Sequence, residues 1–155
     1  MSKTIVMIYA SMSGNTEEMA EAIEAGVKEV GAELRKIDIN DEPEAQVLEQ
    51  YSGILLGAYT WGDGELPYEF EEFYEEMNEV DLTGKVAAAF GSCDSMYPKY
   101  GAAVDILIEK LEERGASVPQ EGLKVELTPE DEDVEACKEF GRIFAKELFF
   151  TKQEG

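Results

Sequence analysis

Thr4-Ile5-Val6-Met7-Ile8-Tyr9-Ala10-Ser11-Met12-Ser13-Gly14-Asn15-Thr16 runs from an apolar segment straight into a hydroxyl-rich turn. The segment Thr4 to Ala10 shows no polar alternation, the mark of a strand buried on both faces. Beyond the turn, Asn15 to Val30 carries Met19, Ile23 and Val27 at helical spacing and stops at Gly31, where a C-cap is expected. The same grammar recurs along the chain. Gly53 to Tyr59 and Lys85 to Phe90 read as further buried strands, Glu33 to Ile39 as a more exposed second strand, and Leu123 to Leu127 as a fifth. Ala102 to Arg114, stopping at Gly115, reads as a helix, as does Tyr68 to Met77. A last helix is expected to run to about Phe149, with Thr128 as cap and Pro129 in its first turn. Strand and helix in alternation imply a doubly wound α/β sandwich, its five parallel strands covered by helices on both faces. One domain over 1–150 and a short tail, 151–155, are expected.

Composition narrows the function. The chain has 155 residues, 44% of them hydrophobic, with 35 acidic against 13 basic side chains and a net charge of -22. Such a surface has no counterion-release route to DNA, RNA or an anionic membrane, and it favours a basic partner. With no histidine there is no Ser-His-Asp triad, Cys-His dyad or His-ligated zinc. Cys93 and Cys137 form neither a CxxC motif nor a disulfide framework. The apolar run at the N-terminus is too short for a signal segment, and no stretch reaches membrane-span length, so a cytoplasmic protein is expected.

In a doubly wound sheet the ligand lies beyond the carboxyl ends of the strands. Ser11-Met12-Ser13-Gly14-Asn15-Thr16, after the first strand, offers hydroxyls, an amide and the free N–H groups of a helix start, but no cation. It suits either a single phosphate bound by dipoles or simple helix capping. Tyr59-Thr60-Trp61-Gly62-Asp63-Gly64-Glu65-Leu66-Pro67, after the third strand, holds the sole Trp, either stacked on a flat ligand or exposed in a turn. Pro67 where a third glycine would stand excludes a dinucleotide fingerprint. After the fourth strand comes Gly91-Ser92-Cys93-Asp94-Ser95-Met96-Tyr97, whose small residues admit a ligand and whose Tyr97 could supply a second aromatic plane. Cys93 has no histidine partner and acidic neighbours, which points to packing rather than nucleophilic work.

These three motifs, in this order and each after its strand, resemble the loops of the short-chain flavodoxins. SMSGNT is similar to their phosphate loop, Ser/Thr-x-Thr-Gly-Asn-Thr; TWGDGEL is similar to the loop on the inner flavin face, and GSCDSMY to the loop on the outer face. The resemblance implies a sheet of order 2-1-3-4-5 and an FMN cofactor. It further implies that Ser11, Ser13, Asn15 and Thr16, with the amides of Met12 and Gly14, bind the FMN phosphate, and that Thr60 lies near the ribityl chain. Trp61 would pack on the inner ring face and Tyr97 on the outer, with backbone of Ser92, Cys93 and Asp94 at the pyrimidine edge. The Gly62-Asp63 peptide would turn its carbonyl toward flavin N5 on reduction. Ser13 stands for the usual Thr, Cys93 for a common Gly, and Tyr59 for a phosphate-binding Ser.

The function so implied is a low-potential one-electron carrier, a monomer and not an enzyme, working between basic-surfaced redox proteins. The donor would be a flavodoxin or ferredoxin reductase, and the acceptor a cytochrome or another reductive enzyme. An FMN-dependent NAD(P)H:quinone oxidoreductase is the alternative on the same phosphate loop, although the added segments and basic residues it needs for a second phosphate are not seen. A phosphorelay receiver would need an acidic pair where Ser11-Met12 stands.

Overall fold

The computed structural model describes residues 4–11, 14–60, 64–93, 101–126 and 129–153, the side chains of 149–153 excepted. The apolar runs form β1 (Thr4–Ala10), β2 (Glu33–Asp38), β3 (Gly53–Ala58), β4 (Val86–Cys93) and β5 (Leu123–Glu126). They make one parallel sheet in the order β2-β1-β3-β4-β5. Between them run α1 (Asn15–Glu29), α2 (Tyr68–Glu76), α3 (Ala102–Glu113) and α4 (Asp131–Gln153). The link from β2 to β3 carries only two short 3-10 segments, Ile39–Asp41 and Ala45–Gln50.

Strand alternation sorts the core into two layers. Val6, Ile8, Ile54, Leu56, Ala87 and Ala89 face α2 and α3, where Phe70, Phe73 and Leu107 meet them. Ile5, Met7, Leu55, Ala88 and Phe90 face α1 and α4, where Met19, Ile23 and Phe144 close the other side. Gly57 leaves room for the Phe90 ring, whose Cζ would lie 2.3 Å from any Cβ placed there.

Three boundaries differ from expectation by more than one residue. β4 continues through Gly91 and Ser92 to Cys93, because β5 pairs Gly91 with Lys124, Ser92 with Val125 and Cys93 with Glu126. Gly91, Ser92 and Cys93, expected in a loop, therefore belong to the strand. α4 begins at Asp131, so Pro129 precedes it; the amide of Glu130 donates to Asp133 Oδ2 at 2.9 Å, and the expected cap Thr128 lies outside the described residues. At its other end α4 runs past Phe149 to Gln153, through the expected start of the tail.

On the back of the sheet α1 crosses α4 at very short range. A Cβ at Gly26 would lie 2.0 Å from the Lys138 carbonyl oxygen, and one at Gly141 would lie 2.2 Å from that of Ile23. At the edge of the same crossing Arg142 donates to Glu29, Glu135 and Glu139. These carboxylates hold its proton more tightly than an ordinary guanidinium's.

Tyr9, buried at the end of β1, donates to Glu17 Oε2 at 3.3 Å. Burial, then the charges of Glu17 and Asp38, push its hydroxyl up from 10.0 to about 12. A phenol harder to ionise when folded stabilises the fold below the unfolded value and stops doing so as pH passes the folded one. Denaturation midpoints will therefore fall between about pH 10 and 12, and Tyr9→Phe will flatten that decline.

Candidate functional site

The switch in strand order falls between β1 and β3, where Ala10 pairs with Ala58 and the chain leaves both strands at adjacent points. Ser11 and Tyr59 are thus the first residues beyond neighbouring strand ends. The next strand out, β4, ends in the same region, and the Thr60 amide donates to the Ser92 carbonyl at 3.4 Å. All three sequence loops consequently open at one edge of the sheet.

α1 begins without a side-chain cap of its own. Its N-cap is Gly14 at φ 91°, ψ -8°, a left-handed conformation that favours glycine, and a Cβ there would find nothing within 4 Å. Ser11 acts from three residues earlier: its Oγ accepts from the amide of Gly14 at 3.1 Å and from that of Glu17 at 3.2 Å. The amides of Asn15 and Thr16, in the first helical turn, have no acceptor within the helix. The result is a positively polarised helix start with two amides that the helix leaves without acceptors and the Ser11 O–H proton beside them. Those properties fit a phosphate group.

The Thr16 hydroxyl turns inward, where its Oγ1 lies 2.8 Å from Ser92 Oγ, and both residues are buried. Thr60 is held from two sides, by the Ser92 carbonyl at its amide and by the Ala103 amide, which donates to Thr60 Oγ1 at 3.3 Å. That second bond caps α3, whose own N-cap is Gly101 at φ 66°. Cys93 is buried, with its Sγ donating to the Val125 carbonyl at 3.6 Å. Since no non-glycine residue but Glu42 has positive φ among the described residues, position 93 has no conformational need for glycine.

The Tyr59 hydroxyl is engaged by α2. It donates to Glu69 Oε2 at 2.8 Å, joining the end of β3 to the first turn of α2. Burial, then that hydrogen bond and the Glu69 charge, raise its titration far above the ordinary tyrosine value. Its proton is therefore not on offer to a phosphate. Sequence reasoning missed this pair and the Thr16–Ser92 contact. Of the expected site residues, Ser11, Gly14, Asn15, Thr16, Tyr59, Thr60, Ser92 and Cys93 gather at this edge; Met12, Ser13, Trp61, Gly62, Asp63, Asp94 and Tyr97 lie outside the described residues.

The flavodoxin family model matches residues 7–141, from the middle of β1 to the centre of α4. The chain belongs to the flavodoxin family. It is 48% identical to probable flavodoxin 1 of Bacillus subtilis, over 93% of this chain and 90% of that one. The structure of oxidised flavodoxin 1 from Bacillus cereus superposes with a TM-score of 0.91 at 68% identity, covering 92% of this chain and 97% of that one. A flavodoxin of Nostoc is 35% identical over 74% of this chain but only 67% of its own length, which sets the present chain among the short flavodoxins. Flavodoxins bind FMN and act as electron-transfer proteins rather than enzymes, so the quinone oxidoreductase and receiver readings fall away. Among the described residues, no helix is long and apolar enough to cross a membrane.

Proposed function

We propose that this flavodoxin holds the FMN phosphate at the start of α1 and passes single electrons at low potential between basic-surfaced redox proteins of the cytoplasm, working as a monomer. The observation that supports it is the helix start itself, where Ser11 takes up two amides and leaves those of Asn15 and Thr16 without a helical acceptor. When bound, the flavin supplies the one-electron chemistry. Ser11, Ser13, Asn15 and Thr16, with the amide of Met12, would bind the phosphate, the Gly14 amide being already taken by Ser11 Oγ; Thr60 would keep a hydroxyl proton for the ribityl chain. Trp61 and Tyr97 would sandwich the ring, Gly62 and Asp63 would supply the peptide beside N5, and Ser92, Cys93 and Asp94 would present backbone at the pyrimidine edge. The Ser92 carbonyl is already engaged by Thr60, so its share falls to the amide.

Charge sets the potential and the partner. Glu65 is exposed and Glu69 half-buried in the stretch after β3. A carboxylate about 10 Å from added negative charge, at an effective dielectric near 40, costs roughly 0.8 kcal/mol, or about 35 mV per electron. Several such groups make the reduced protein a strong donor. Beyond them, Glu71, Glu72 and Glu75 on α2 face Glu42 and Glu44 across a groove of about 810 Å³, with Tyr68 standing 83% exposed at the start of that helix. A basic partner docking against this face gains on-rate from the field. Electron transfer from the reduced holoprotein to a basic cytochrome, followed by stopped flow, will slow on the order of tenfold as salt rises from low to physiological ionic strength. A rate independent of salt would refute the docking.

A further inference from the structure

Thr16 is the second residue of α1 and Ser92 the last but one of β4, 76 positions apart, yet their hydroxyl oxygens lie 2.8 Å from each other. Both side chains are nearly sealed from solvent, Thr16 at 1% and Ser92 at 7% exposure. Two buried hydroxyls bring two protons to one contact. One proton lies along the oxygen–oxygen line, and the other needs a different acceptor.

The surroundings decide which hydroxyl keeps the second proton. Beside Ser92 the carbonyls of Ser92 and Val125 each already accept one hydrogen bond, from Thr60 and from the neighbouring Cys93, and are neutral acceptors with one lone pair left apiece. Beside Thr16 are the donors of the α1 start, the amides of Asn15 and of Thr16 itself. An anion drawn there by those donors is an acceptor at the Thr16 end and not at the Ser92 end. It therefore selects the arrangement in which Ser92 donates to Thr16 and Thr16 donates onward, each bond polarising the next.

We propose that Ser92 is a positioning residue for phosphate: its hydroxyl donates to Thr16 Oγ1 and so fixes the Thr16 O–H toward the anion at the α1 start. This rests on the reading that the phosphate binds there, and it assigns the Ser92 side chain a role separate from that of its backbone. Because the Ser92 carbonyl also holds Thr60, one residue joins the phosphate end of the site to the loop that begins at Thr60.

FMN and riboflavin differ by the phosphate alone, so paired fluorescence titrations of the full chain stripped of flavin isolate the effect. Ser92→Ala will weaken FMN binding roughly tenfold, as for loss of support to a bond with a charged group, and leave riboflavin within about twofold. In a Thr16→Val background the same substitution will produce no further loss for FMN, since its route to the phosphate is gone. Equal weakening of FMN and riboflavin, an unchanged FMN affinity, or additive losses in the double variant would overturn the proposal. If Ser92→Ala fails to fold by circular dichroism, Ser92→Cys, which keeps the volume with a far weaker donor, carries the same expectations. Should the unsubstituted chain bind FMN and riboflavin equally, the phosphate reading itself is what fails.

Discussion

Gly26→Ala will lower the stability of this flavodoxin by about 2 kcal/mol, although helix propensity alone predicts a gain of about 1 kcal/mol for the same change. The sign turns on the α1–α4 crossing. An alanine Cβ would stand 2.0 Å from the Lys138 carbonyl oxygen, and the obstacle is backbone, so no side-chain rotation relieves it. Restoring even a tight contact requires the helices to part by about 1 Å, which loosens Ile23, Val27, Phe140 and Phe144 in the layer beneath. Overpacking of this kind costs about 1–3 kcal/mol, and the upper end applies where a whole helix has to move. The denaturation midpoint should fall by roughly 4–8 °C in a chain of this size. Gly141→Ala, 2.2 Å from the Ile23 carbonyl, should behave alike. The double variant should lose less than the sum, since one separation relieves both clashes. A rise in midpoint for either single variant would show that the helices are not held this close.

Ser11→Ala is expected to weaken FMN binding on the order of 100-fold while the flavin-free chain loses only about 1 kcal/mol of stability. The two readouts separate because Ser11 does two things. As acceptor it gathers the amides of Gly14 and Glu17 and so shapes the turn, a capping role with the smaller energy. As donor it has one O–H left, and a hydrogen bond to a charged group is worth about 1.5–3 kcal/mol. Loss of that bond together with a loosened turn gives the 100-fold figure, about 2.8 kcal/mol. Riboflavin binding should change far less. If FMN affinity moves by less than about threefold, Ser11 is a helix cap and nothing more.

Much of the architecture was readable from residue pattern because a parallel sheet covered on both faces demands apolar runs without alternation. Thr4 to Ala10, Gly53 to Ala58 and the start of β4 supply them. The positions of the three loops followed from strand order, and the spacing of Ser11, Gly14 and Thr16 already suggested an anion site. Contacts that depend on distant partners were not readable. Nothing near Tyr59 in sequence tells that its hydroxyl meets Glu69, and Ser92 finds Thr16 only once α1 is docked against the sheet. Nothing in the sequence marks Gly26 and Gly141 as the places where α1 and α4 cross, each making room for a carbonyl. The end of β4 was misjudged because small residues look like loop unless a neighbouring strand is known to pair with them.

The two cysteines also make the molecule convenient to attach to a surface. Cys93 and Cys137 are both buried, and burial, with Asp133 and Glu18 nearby, pushes the Cys137 thiol up to about 12. Neither meets the conditions under which a thiol attacks an electrophile. Ser117 is exposed and bridges Val86 at the foot of β4, the sheet edge opposite the loops. A cysteine placed there becomes the one handle a maleimide can reach in the folded protein. An electrode linked through it would hold every molecule with its loop edge outward, the end of the sheet farthest from the attachment point.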